Sequence, residues 1–173
     1  NLRFLVQRRP FRLAESLVGR SGARGRSARA RADGAQAGGA PRQLSYGPYN
    51  NGGPLSWTPD GRTILFSGNR SPNWEREGFN TEIYALDVAA NRITALTTRD
   101  GPDNEPAVSP DGRLVAYTGY DDHNRSYENA ILYVMNADGS GARALTGAMD
   151  RTVGSPVWAA DGRSVFVQYD DRG

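Results

Sequence analysis

The tripeptide Asp-Gly-Arg occurs three times, beginning at residues 60, 111 and 161. A near-constant step of about 50 residues is a repeat, and a repeat restricts a chain to architectures in which each unit buries its face on the next. The match extends to both sides. Trp57, Val108 and Trp158 lie three residues before the aspartate, and Pro59, Pro110 and Ala160 one residue before it. Ile64-Leu65-Phe66, Val115-Ala116-Tyr117 and Val165-Phe166-Val167 follow it.

The unit reads as β-sheet. An apolar run leads into Pro-Asp-Gly and a second run follows. Proline sets φ for the first corner of a type I turn, and glycine takes the left-handed position that closes a hairpin. A second hairpin follows in each unit. Residues 82–87 and 130–136 are rich in branched and aromatic side chains, as strands are, and they return through 92–97 and 143–146. Four short antiparallel strands per 50 residues make a propeller blade. The expected fold is therefore all-β, a partial β-propeller. Residues 42–45 read as the outer strand of a preceding blade, 46–97 and 98–146 as two blades, and 147–173 as half of another. Propellers carry four to eight blades, so about two and a half blades read as a fragment of a longer protein.

Residues 1–41 do not follow the repeat. They carry nine arginines against Glu15 and Asp33, a balance of +7, whereas residues 42–173 balance at −5. All the basic residues are arginine. Between residues 21 and 40 the composition cannot bury a core, so this arm is expected to be disordered or foreign to the fold. Clustered arginine attracts phosphate without regard to sequence. The absence of lysine, and of aromatics after Phe11, favours a linker over a nucleic-acid arm, so no specific nucleic acid is expected as a partner. No segment has the length of a membrane span. The absence of cysteine excludes disulfides and thiolate metal sites without fixing a compartment.

Residues 55–61, 106–112 and 156–162, together with the strand pairs ending in Leu-Thr, resemble the WD40-like (PD40) repeat of TolB-type propellers. The same repeat builds the N-terminal propeller of the prolyl oligopeptidase (S9) family of serine peptidases. The segments at 74–84, 98–106 and 117–127 are most similar to bacterial members of that peptidase family. The resemblance covers residues 42–173. It implies a non-catalytic propeller that gates substrate access in a dipeptidyl- or acylaminoacyl-peptidase-like enzyme, with a C-terminal α/β-hydrolase domain and a peptide substrate as its partners. The alternative it implies is a TolB-like periplasmic scaffold that binds other proteins.

The chain holds no catalytic serine of the expected kind, because no serine is flanked as Gly-x-Ser-x-Gly. Its single histidine, His123, lies in a polar loop and reads as solvated. Asp100, Asp103 and Glu105 could in principle offer oxygen to Ca²⁺, but the spacing fits turn capping better. No catalytic residue, cofactor or metal is expected. Trp74, Glu75 and Glu77, in the loop between the two hairpins of the first full unit, are the candidates for substrate contact. In dipeptidyl peptidases of the family a glutamate pair in the propeller grips the substrate's amino group, but its glutamates are adjacent, unlike Glu75 and Glu77. The recurring aromatics Trp57, Phe66, Tyr84, Tyr117, Tyr133 and Trp158 are expected in the core between sheets.

Overall fold

The computed structural model describes residues 42–170 and, in backbone only, residues 3–8. The strands form three sheets. The first blade joins β2 (Asn50–Trp57), β3 (Thr63–Asn69), β4 (Glu82–Asp87) and β5 (Arg92–Ala95), in that order and antiparallel throughout. The second joins β6 (Asp103–Val108), β7 (Leu114–Gly119), β8 (Ile131–Asn136) and β9 (Arg143–Ala144) in the same way. In the third sheet β10 (Val153–Trp158) pairs antiparallel with β11 (Ser164–Tyr169), whose other edge carries β1 (Arg3–Arg8) in parallel. The described residues hold no helix. The fold is a partial β-propeller of four-stranded antiparallel blades.

The repeated tripeptide earns its recurrence in the turn. Thr58 donates its hydroxyl proton to Asp60 Oδ1 at 2.6 Å, and the Arg62 amide donates to the same oxygen at 3.1 Å. Ser109 and Arg113 hold Asp111 at 2.6 and 3.1 Å. In the third copy Ala159 lacks the hydroxyl, and the Arg163 amide alone holds Asp161, at 2.9 Å. Gly61, Gly112 and Gly162 have φ of +68°, +74° and +67°, a region in which a Cβ is costly.

Each inner strand also carries a bulge. The register shifts between Gly52 and Ser56, Asn104 and Ala107, and Gly154 and Val157. Gly53, Glu105 and Ser155 stand there with positive φ. A bulge bends its strand and increases its twist, so the same device recurs in all three sheets.

The Leu-Thr signature has a local cause. Thr97 Oγ1 accepts the Ile83 amide at 2.9 Å, and Thr146 Oγ1 accepts the Leu132 amide at 2.8 Å. Each hydroxyl replaces a ladder partner where the outer strand ends. Between blades one and two the core contains Leu65, Ile83, Val115, Tyr117 and Met135. Between blades two and three it contains Ala116, Leu132, Val134, Val153, Val165 and Val167. Phe66 stacks on Tyr84 at 5.6 Å and Tyr117 on Tyr133 at 5.3 Å, each pair facing across the second and third strands of its blade.

Three expectations need correction. Residues 42–45 form no strand, and Leu44 instead packs beside Ile64, Phe66, Tyr84 and Leu86 of blade one. A strand needs a ladder partner, and none of the described residues supplies one upstream. Residues 3–8 of the expected arm form β1. The run Phe4-Leu5-Val6 has β propensity, and the open edge of β11 offers unpaired amides and carbonyls. Residues 9–41 lie outside the described residues. Trp57 is not in a core, since it is 53% exposed. Its equivalent Trp158 is covered by the preceding blade, and blade one has no described blade before it.

Candidate functional site

Antiparallel order places the Asp-Gly turns at one end of the blades. The long connections, 70–81 and 120–130 within blades and 96–102 and 145–152 between them, lie at the other. The candidate site lies at this loop end.

Trp74 belongs to the 70–81 loop and meets Tyr49 edge-on, with ring centroids 6.3 Å apart. Arg70 lies over the Tyr49 ring at 4.5 Å. Glu75 is exposed, and the exposed Glu77 has its carboxylate within reach of the Ser71 hydroxyl at 3.3 Å and the Asn73 amide at 3.4 Å. The Glu77 carbonyl accepts from the Asn69 amide at 2.5 Å, which ties the loop to β3. The loop is therefore a folded polar turn with an aromatic on it, and its two carboxylates are not joined to each other.

A second cluster lies between blades one and two. Arg99 pairs with Asp103, whose side chain is buried, and reaches Asp121 at 3.3 Å. Its guanidinium lies 4.1 Å from the centre of the Tyr133 ring. Glu82 accepts the Thr97 hydroxyl proton at 2.5 Å. Thr97, Arg99, Asp103, Asp121 and Tyr133 line a cleft of about 440 Å³ with Tyr117, Gly139 and Arg143. Burial pushes the Glu82 carboxyl up to about 7, and the negative Asp103 adds to the effect. Burial also pushes Asp103 up to about 6, despite the adjacent Arg99. Desolvation raises the Tyr117 phenol as well. Asp103 Oδ2 is buried without a hydrogen-bond partner, which is costly for a carboxylate and consistent with its preference for a proton.

The repeat shows how unusual this cluster is. The Asp103 amide donates to the Thr81 carbonyl at 2.6 Å, and at the next joint the Val153 amide donates to the Ala130 carbonyl at 2.8 Å. By that equivalence Asp103 stands where the next joint has Val153, and Glu82 where it has Ile131. Met149, in the place of Arg99, packs against that joint's apolar core. One joint is thus ionic at positions where its neighbour is apolar. Sequence reading did not find the cluster. The signal available was Glu82 and Asp103 at positions that the following unit in each case fills with a hydrophobic residue, Ile131 and Val153.

The three acids considered for calcium have separate roles. Asp103 pairs with Arg99. Glu105 Oε2 accepts the Ser155 amide at 2.8 Å and the Thr118 hydroxyl at 3.2 Å, linking blades two and three. The Asp100 carbonyl accepts the Asp122 amide. Among the described residues no three acidic or histidine side chains converge to hold a metal. His123 is exposed and faces Glu128, Nδ1 to Oε1, at 3.3 Å. It lines a second cleft of about 420 Å³ with Asn129, Met149 and Asp150.

No family model matches the chain. Among curated proteins it is 28% identical over 111 residues to the uncharacterized peptidase YuxL of Bacillus subtilis, covering 64% of this chain. It is 22% identical over 138 residues to dipeptidyl-peptidase 5 of Trichophyton schoenleinii, covering 73% of this chain. It is 29% identical over 94 residues to the Tol-Pal system protein TolB of Francisella tularensis, covering 53% of this chain. The chain spans only 16% to 19% of the length of these relatives. In structure it is similar to a TolB from Agrobacterium tumefaciens, with a TM-score of 0.56 and 24% identity over 72% of this chain and 40% of that one. It is also similar to the tricorn protease, with a TM-score of 0.51 and 17% identity over 65% of this chain and 10% of that one. The homologues of this partial propeller thus include S9 peptidases alongside TolB-type propellers.

Proposed function

We propose that these blades belong to the non-catalytic propeller of a prolyl oligopeptidase-type serine peptidase, where they limit access to a hydrolase domain. The observation that carries this reading is the extent of the alignments. Those with the peptidases take in 64% and 73% of the chain, and that with the Francisella TolB 53%. The loop-end position of Trp74, Glu75 and Glu77 suits a surface that meets peptide, and Phe79 and Tyr127 stand exposed on the two loops within blades. A disc of stacked blades over a hydrolase cleft admits short extended peptides and excludes folded proteins. The serine, aspartate and histidine of such an enzyme belong to the hydrolase domain.

Labelling with a fluorophosphonate probe tests this. The full-length protein should label at one serine and hydrolyse peptide p-nitroanilides. The 173-residue chain should do neither. Shortening the 70–81 loop in the full-length protein should widen the range of peptides accepted. A full-length protein that neither labels nor cleaves contradicts the peptidase reading and favours the second one, a TolB-like scaffold that binds proteins through one face of the disc.

A further inference from the structure

Among the described residues, three buried side-chain atoms lack a hydrogen-bond partner: Arg99 Nε, Asp103 Oδ2 and Glu128 Oε1. Folded proteins leave few such atoms, and each calls for a partner. Arg99 and Asp103 line the cleft of about 440 Å³, and Glu128 lines the one of about 420 Å³. Asp121 and Tyr133 line both, so the two clefts form one groove at the loop end. The Asp103 side chain in it is 1% exposed. The walls belong to blades one and two and to the connections that leave them. All four strands of each of these blades are present, so the groove is not an open end of the stack.

The groove is acidic and partly aromatic. Asp103, Asp121, Glu128 and Asp150 line it, against Arg99 and Arg143. Arg99 is committed to Asp103 and Asp121. Glu128 Oε1 has His123 at 3.3 Å and Arg125 at 3.9 Å, neither placed to donate a hydrogen bond to it. Asn129 fixes one wall. Its amide donates to Asp150 Oδ1 at 3.2 Å, while its oxygen accepts the Tyr127 and Thr152 hydroxyls at 2.9 and 3.1 Å. Tyr120, Ile131, Tyr133 and Met149 add apolar surface. Arg99 displays the chemistry that such walls favour, since its guanidinium lies on the Tyr133 ring and between two carboxylates. The repeat does not require the acid at 128. Thr81 and Ala130 are equivalent by their backbone bonds, so Phe79 stands in blade one where blade two has Glu128.

We infer that this groove binds a cationic group on an aliphatic stem, the side chain of arginine or lysine in a peptide or the amine of a polyamine, with Asp121 and Glu128 as its anions. A guanidinium or ammonium gains from a partly desolvated carboxylate and from an aromatic face. Its methylene stem covers Ile131 and Met149. Basic peptides are then the substrate class that the peptidase reading admits, and that step alone rests on that reading.

Titration calorimetry of the 173-residue chain tests it with three probes. One is an acetylated pentapeptide amide with a central arginine, one the same peptide with norleucine in that place, and one spermidine. Acetylation removes the α-amino group, so the side chain is the only cation of the peptide. The arginine peptide should bind at least about tenfold more tightly than the norleucine peptide, and less tightly as salt rises. Spermidine that displaces the peptide marks a general cation site, and spermidine without effect confines the groove to peptides. Asp121→Asn and Glu128→Gln should each weaken the arginine peptide about tenfold, with circular dichroism unchanged. Asp87→Asn, at the other end of the blades, should leave it as it was. Equal affinity for the two peptides overturns the inference, as does the absence of cation binding below about 1 mM, or binding that both groove variants leave unchanged. Full-length protein that labels with fluorophosphonate but shows no basic preference keeps the peptidase reading and loses this one. A basic preference without labelling does the reverse.

Discussion

Replacing Gly119 with alanine is expected to lower the stability of the chain by about 3 kcal/mol, at the upper end for overpacking, which is a melting shift of roughly 10 °C for a domain of this size. Gly119 ends β7 and pairs with Asp103 on one side and Ile131 on the other. A Cβ there would overlap the Pro102 carbonyl, the Asp103 carboxylate and the Arg99 guanidinium. The carbonyl belongs to a backbone that accepts the Tyr120 amide at 3.3 Å and cannot withdraw without losing that bond. The carboxylate cannot move without parting from Arg99. Gly78 is the control, since a Cβ there meets nothing within 4 Å, and alanine should change stability by less than about 0.5 kcal/mol. Thermal melts of the two variants check the contrast. Equal melts would mean that the joint between blades one and two is looser than the structure shows.

The second large effect is a dependence on pH opposite to that of most surface carboxylates. Glu82 titrates near 7 in the folded chain, against about 4.5 for an exposed glutamate. An acid whose folded pKa is raised binds more protons folded than unfolded, so stability falls as pH rises. The loss begins near pH 4.5 and is complete above about 7, and Asp103, raised to about 6, acts in the same direction. For Glu82 the move corresponds to roughly 3 kcal/mol, reduced to about half by solvent around a half-buried group. Asp60, Asp111 and Asp138 have carboxyls held below the ordinary value by the hydroxyls of Thr58, Ser109 and Ser140. Their stabilisation is lost only as pH falls below about 4, outside this window. The chain should therefore be more stable at pH 5.5 than at pH 8. Glu82→Gln, which can still accept from Thr97, should flatten that slope and stabilise the chain at pH 8 by about 1 kcal/mol. Chemical denaturation at the two pH values measures both quantities. A wild type more stable at pH 8 would contradict the burial assigned to this carboxyl.

Much of the fold was legible because the repeat writes local chemistry three times. The turn aspartates, the left-handed glycines and the Leu-Thr ends are short-range features, and each has its partner within a few residues or on the adjacent strand. The strand at 82–87 falls where its apolar patterning predicts, and that expected over 92–97 covers 92–95. What was not legible depends on neighbours far along the chain. The apolar character of Trp57 predicts a core, but burial requires a blade on the other side. Residues 3–8 read as part of a charged arm, yet β11, over 150 residues later, offers an edge they can use. The ionic joint was hidden for the same reason, since Glu82, the Arg99–Asp103 pair and Asp121 come from three separate segments. Trp74, Glu75 and Glu77 could be placed on a loop from sequence, but not the turn in which Ser71, Asn73 and Asn69 hold Glu77.

The coding sequence immediately beyond codon 173 tests the central proposal most directly, because every propeller of this repeat type shares the strands described above. The peptidase reading predicts further blades with Asp-Gly turns, followed by a Gly-x-Ser-x-Gly nucleophile elbow and then an aspartate and a histidine in that order. A reading frame that closes after its last blade, with no hydrolase domain, would contradict it and leave a protein-binding scaffold in its place.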